Sequence, residues 1–128
     1  MAAGRYSFVI EQGATFNIEL QYKDSNGNPV NLTGYSGRML IRSNYADNNP
    51  TTYVTLSSSL NLDGTGLNFS GSAGTNPPTS GTIGIIISAT TSSALTFTSA
   101  RYDLELTSGT IVTRLIEGEV QLSKEVTR

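Results

Sequence analysis

The chain contains no cysteine, no histidine and no tryptophan, and only four prolines in 128 residues. Without cysteine there is neither a disulfide framework nor a thiolate metal site. The redox compartment stays open, because a disulfide-free core folds on either side of a membrane. Charge is also sparse: 14% of residues are charged and the formal net charge is −2. The eight basic residues are scattered and outnumbered by ten acids, whereas a nucleic-acid binder needs clustered Lys and Arg to displace counterions. No nucleic-acid partner is expected. No apolar run approaches the roughly 20 residues that span a bilayer. The start, "MAAGRYSFVI", lacks the basic region and apolar core of a signal peptide. The expectation is a soluble protein made in a cytoplasm, with no membrane partner.

What the chain does have is Ser and Thr, together about a quarter of its residues, with many Asn and Gly. Thr suits pleated surfaces, and Asn and Gly supply the positive φ of tight turns. The length suits one domain, residues 1–128, large enough to bury a core without staples. The composition implies an all-β protein.

Alternation along the chain agrees. "RYSFVIEQ" places Tyr6, Phe8 and Ile10 on one face, and "ATFNIELQYK" alternates strictly at Phe16, Ile18, Leu20 and Tyr22, the period of a half-buried strand. "DSNGNP" ends that strand with the Asn26-Gly27 hairpin signal. "VNLTGYSGRMLIRS" contributes a short strand or edge at Val30 and Leu32, a turn at Gly34, and a strand over Arg38–Ser43. After a loop at Asn44–Pro50, "TTYVTL" is a strand, and Leu60 to Phe69 reads as a hairpin turning at Asp63-Gly64. "AGTNPPTSG" is a loop. "TIGIIIS" (Thr82–Ser88) is apolar on both faces and is placed centrally, with Ile86 buried as well as Ile85 and Ile87. "ATTSSALTFTSA" is the one non-strand candidate, at most a short helical turn near residues 90–97 from which Leu95 and Phe97 cap the core. The tail "RYDLELTSGTIVTRLIEGEVQLS" closes with a long hairpin. Eight or nine short strands at this spacing predict a single antiparallel β-sandwich of immunoglobulin-like type. Its inward residues are expected to include Phe16, Ile18, Leu20, Ile85, Ile87, Tyr102, Leu104 and Leu106.

No residue pattern carries chemistry. Asp103/Glu105 and Glu117/Glu119 each share a strand face, as an acid/base couple would, yet each pair sits opposite apolar residues and reads as a solvated outer face. "DSNGN" (Asp24–Asn28) begins like a calcium loop, but Gly27 is fourth and Pro29 sixth, where an EF-hand needs Gly at six and Glu at twelve. Nucleophilic catalysis lacks a base, with only Lys23 and Lys124 for a Ser-Lys pair. Neither Gly-rich segment has the Gly-Lys-Ser/Thr of a phosphate loop. Asn31-Leu32-Thr33 and Asn68-Phe69-Ser70 match the glycosylation sequon. Tyr35, Tyr45 and Tyr53 could stack on sugar rings, although a Tyr-bearing edge more often belongs to a core or an interface. No enzyme, cofactor or metal is expected.

Two segments carry a resemblance. "EQGATFNIELQYKDSNGNPVNLTGYSGRMLIR" resembles the opening of small virion proteins of tailed bacteriophages and prophages, and is similar to the N-terminal β-sandwich of lactococcal upper baseplate proteins. "TTSSALTFTSARYDLELTSGTIVTRLIEGEVQLSKEVTR" resembles their ending. The two cover a little over half the chain; Asn44 to Gly81 has no counterpart. The resemblance implies a structural tail or baseplate component that connects or positions other virion proteins, such as fibres, in multiple copies or as a homo-oligomer. A head decoration or neck protein, and a carbohydrate-binding receptor module of a fibre, are the alternatives. The uncharged edge segments "TTYVTL" and "GLNFSG" invite a partner. Tyr45, Tyr53 and Val54, with Lys124, Glu125 and Arg128 of the tail, are the expected protein-interface residues.

Overall fold

The computed structural model describes residues 4–43, 51–59, 64–71 and 77–124. Among them nine strands form two sheets: β1 (Gly4–Arg5), β2 (Phe8–Glu11), β3 (Phe16–Gln21), β4 (Ser36–Arg42), β5 (Thr52–Ser57), β6 (Gly66–Asn68), β7 (Thr82–Ile87), β8 (Ser99–Ser108) and β9 (Ile111–Ser123). The larger sheet runs β1-β9-β8-β4-β5, with β2 also on β9, and the smaller runs β3-β7-β6. An immunoglobulin-type sandwich places its second, fifth and fourth strands together and its third, sixth and seventh in the facing sheet, with an added strand beside the third in the variable type. Counting β1 and β2 as halves of the first strand, and β5 as the added one, reproduces that order. The chain is an all-β, immunoglobulin-like sandwich.

Pairing is antiparallel with one exception that the sequence reading did not anticipate. β1 and β2 both pair with β9 in parallel, Gly4 opposite Ile116 and Phe8 opposite Val120. Parallel partners need a long connection, and here nearly the whole chain supplies it. "RYSFVIEQ" is accordingly two short strands rather than one. The chain breaks step at Tyr6, whose N–H donates to the Glu117 carbonyl.

The core fills the space between the sheets. Met39, Ile41, Leu56, Leu104, Leu106 and Val120 of the large sheet are fully buried against Leu67, Ile83, Ile85 and Ile87 of the small one. Val30 and Leu32 form no strand, yet Leu32 is a core residue. Phe16, Ile18 and Leu20, expected inside, face the core but are only partly buried. They belong to an edge strand, and one flank of each stays open. Ile86, expected to be buried, lies on the opposite face of β7 from Ile85 and Ile87 and is partly exposed.

The non-strand segment forms α1 (Ala89–Ser93). Ser88 caps it by accepting the Thr91 N–H, the ordinary role of a serine at that position. Leu95 and Phe97 then drop into the core. A network of small polar groups ties α1 to the β2–β3 turn. The buried Ser92 hydroxyl donates to the Ala14 carbonyl at 2.7 Å and accepts the Gly13 N–H, and Gln12 Nε2 donates to the Leu95 carbonyl at 2.8 Å. The loop read over Ala73–Gly81 contains a second helical element, a 3₁₀ turn at Pro78–Ser80.

The Asp24–Asn28 turn closes by hydrogen bonds from the Gly27 N–H to the Asp24 carbonyl and from the Asp24 N–H to the Asn28 carbonyl. Gly27 alone has positive φ there, +85°. This is a type I turn followed by a left-handed glycine; Asn26 itself stays right-handed.

Candidate functional site

The outer face of the large sheet collects eight charged side chains in rows across β9, β8 and β4. Glu119, Arg101 and Arg42 lie in register, as do Glu117, Asp103 and Leu40, and Arg114, Glu105 and Arg38. Arg101 pairs with Glu119 at 3.1 Å. Arg114 sits between Asp103 and Glu117, at 3.6 and 3.7 Å, and so neutralises two acids that stand directly opposite each other. Of the two acid pairs singled out in the sequence, Asp103, Glu117 and Glu119 are therefore ion-paired surface groups, and Glu105 stands in register between Arg114 and Arg38. They flank shallow, open hollows, one lined by Leu40, Arg42, Ser43, Arg101, Asp103 and Glu105. Scattered in sequence, four of the eight basic residues share this one face.

Among the described residues one titratable group departs clearly from its ordinary range. Burial, helped by the neighbouring Tyr6 phenol, raises the Tyr102 phenol well above the usual tyrosine value. Its hydroxyl donates to the Tyr6 carbonyl, a structural link rather than an acid or base facing a cleft. Among the described residues no three His, Cys, Asp or Glu side chains come together to hold a metal. Asp24 Oδ1 accepts the N–H groups of Asn26 and Asn28, so turn chemistry accounts for the calcium-like pattern. The two sequon asparagines are used likewise, Asn31 Oδ1 accepting the Thr33 N–H and Asn68 Oδ1 the Ser70 N–H.

The interface residues expected from the sequence fare differently. β5 and β6 are indeed edge strands. Val54, however, points into the sandwich and is only 6% exposed, a core residue rather than a contact. Tyr53 is the extra residue of a bulge, since Ile41 pairs with Val54 and Arg42 with Thr52. The bulge turns its ring onto Phe97, with centroids 4.8 Å apart. Tyr35 also packs against the core, so neither described member of the tyrosine cluster offers an open sugar-stacking face. Lys124 is exposed and donates to the Thr96 carbonyl at 2.8 Å. Tyr45, Glu125 and Arg128 lie outside the described residues, as does the Asp63 side of the Leu60–Phe69 hairpin.

Exposed apolar surface lies elsewhere. Among the described residues, Tyr6, Val9, Ile111 and Val112 are the large apolar side chains left open, each at least half exposed. All four sit on or beside β1, β2 and β9. Tyr6 borders a mainly apolar seam, lined also by Ile18, Glu19, Leu20 and Ile116, that opens between the large sheet and the β3 edge, whereas Val9 and the Ile111-Val112 pair stand at opposite ends of β9. Sequence reasoning missed this seam because Tyr6 fits the inward alternation of Phe8 and Ile10, and β9 reads as buried on one face throughout.

Comparison with known proteins gives no match, either to a family model or to an individual curated sequence.

Proposed function

We propose that the chain is a structural component of a bacteriophage tail or baseplate, where it holds other virion proteins, such as fibres, by protein–protein contacts. The observation that carries the reading is the apolar seam lined by the half-exposed Tyr6 with Ile18, Leu20 and Ile116, open between the large sheet and the β3 edge. Isolated exposed apolar residues need no explanation, but apolar side chains lining an open seam together are the usual mark of a contact surface. Ion-paired acids and a turn-bound Asp24 fit a scaffold better than a reaction centre. The two segments that resemble phage virion proteins run over residues 11–42 and 90–128, and supply Ile18, Leu20 and Ile116 of the seam. Tyr53 and Lys124 stay in the proposal only as contributors at its margins.

Gold-labelled antibodies against the purified chain, applied to virions that carry it, test the reading by electron microscopy. Label at the tail end supports it, and copy number per particle in small multiples of three or six agrees. Label over the head at hundreds of copies moves the chain to the decoration proteins. Specific retention of a glycan on an array, with no label on assembled tails, replaces the scaffold by a receptor module.

A further inference from the structure

Four kinds of edge bound the two sheets, and three of them are blunted. β5 carries the bulge at Tyr53. β6 is three residues long, and on the far side of the large sheet β1 has two residues and β2 four. Short edges and bulges are the devices that stop sheets from joining edge to edge. β3 has none of them. Its six residues pair with β7 in one unbroken register, and its sequence "FNIELQ" contains no Lys, Arg or Pro. Its inward residues are also less covered than their partners: Phe16, Ile18 and Leu20 are partly exposed, while Ile87, Ile85 and Ile83 opposite them are at 0%.

We propose that two copies of the chain pair antiparallel through β3, across a two-fold axis at Ile18, so that two three-stranded sheets become one of six. The strand is its own best complement in that register. Ile18 meets Ile18 of the second copy and Phe16 meets Leu20, closing the seam on the inner face. On the outer face Asn17 meets Glu19, so no like charges oppose each other. Moving the axis one residue along would set Glu19 against itself, which is unfavourable. Backbone polarity agrees. The Tyr22 N–H donates to the Gly81 carbonyl, toward β7. Alternation then points the N–H groups of Phe16, Ile18 and Leu20 to β7, and those of Asn17 and Glu19 to the open edge. Those two residues are the pair that the Ile18-centred register joins. The dimer stands on this edge alone and would survive failure of the virion reading.

Sedimentation equilibrium of the purified chain tests it, with circular dichroism as a check on the fold. The wild-type chain is expected to self-associate to a dimer. N17K sets Lys opposite Glu19 twice across the axis and should tighten the dimer roughly two- to thirtyfold. N17E should weaken it by a similar factor, and N17E combined with E19K should restore it. N17P removes an edge-facing donor without touching the β7 ladder and should leave a folded monomer. If N17P fails to fold, the charge series still decides. A chain that stays monomeric at every concentration overturns the proposal, as does a dimer that N17K and N17E do not move in opposite directions.

Discussion

The Tyr102 hydroxyl donates to the backbone carbonyl of Tyr6, a residue 96 positions away in the chain. Tyr102 is 2% exposed, and its ring stands 4.8 Å from that of Phe8. One phenol thus anchors the N-terminal strands from beneath while β9 holds them from the side. Replacing it by Phe keeps the packing and strips the Tyr6 carbonyl of its partner. Y102F should cost about 1–3 kcal/mol in chemical denaturation.

The same residue makes stability depend on alkaline pH. Its folded-state pKa lies above the ordinary value of 10.0, so the folded chain holds the proton more tightly than the unfolded one. The stabilisation is complete below pH about 10 and is lost as pH climbs from there toward the folded value. Denaturation midpoints of wild type and Y102F should therefore keep a constant difference up to about pH 10 and converge above it. A difference that persists unchanged above it would mean that Tyr102 ionises equally in both states.

Val54 and Thr55 are neighbours on an edge strand with opposite fates. Val54 faces the core and Thr55 faces out. V54K places an unpaired charge in the sandwich and should abolish folding or cost several kcal/mol, whereas T55K should stay within about 0.5 kcal/mol of wild type. Thermal melts of the two variants settle the register of β5.

Leu104, at 0% exposure in the middle of β8, should lose about 2–5 kcal/mol on truncation to Ala. Gly118 fails for the opposite reason: a Cβ there would stand 2.1 Å from the Tyr6 carbonyl oxygen. G118A should cost about 1–3 kcal/mol, in the range of an overpacked site. It should also speed hydrogen exchange at the Tyr6 amide, which is bonded to Glu117. Exchange unchanged there would show that the strain is relieved elsewhere.

The charged rows of the outer face should matter little to the fold. D103N with E117Q removes both partners of Arg114, at distances of 3.6 and 3.7 Å, and exposed pairs of this kind contribute about 0–1 kcal/mol. Loss of a hydrolytic activity in this variant would contradict the scaffold reading.

Much of the fold was legible because alternation is a local signal. Tyr102, Leu104 and Leu106 point inward and Asp103 and Glu105 outward as their spacing requires, and "TIGIIIS" lies at the centre of its sheet. What alternation does not encode is which strand ends up at an edge. Phe16 and Ile85 look equally buried in sequence, but only Ile85 has strands on both sides. Bulges were invisible for a related reason. Val54 shares the inward face of Leu56 by plain alternation, so its burial was legible, but the extra residue at Tyr53 depends on the partner strand rather than on "TTYVTL" itself. The seam beside Tyr6 was hidden because β1 and β2 join β9 in parallel, a pairing between the two ends of the sequence that no short window contains.

That parallel pairing also decides how the domain would carry a mechanical load. Tension applied between Gly4 and Ser123 pulls β1–β2 and β9 in opposite directions along their shared axis. Their ladder, from Gly4–Ile116 to Glu11–Ser123, would be strained in shear, with all its hydrogen bonds resisting together. In an antiparallel arrangement the same two ends would lie side by side, and the bonds would open one after another like a zip. A force sensor attached at these two points would therefore meet a stiff clamp rather than a seam that peels.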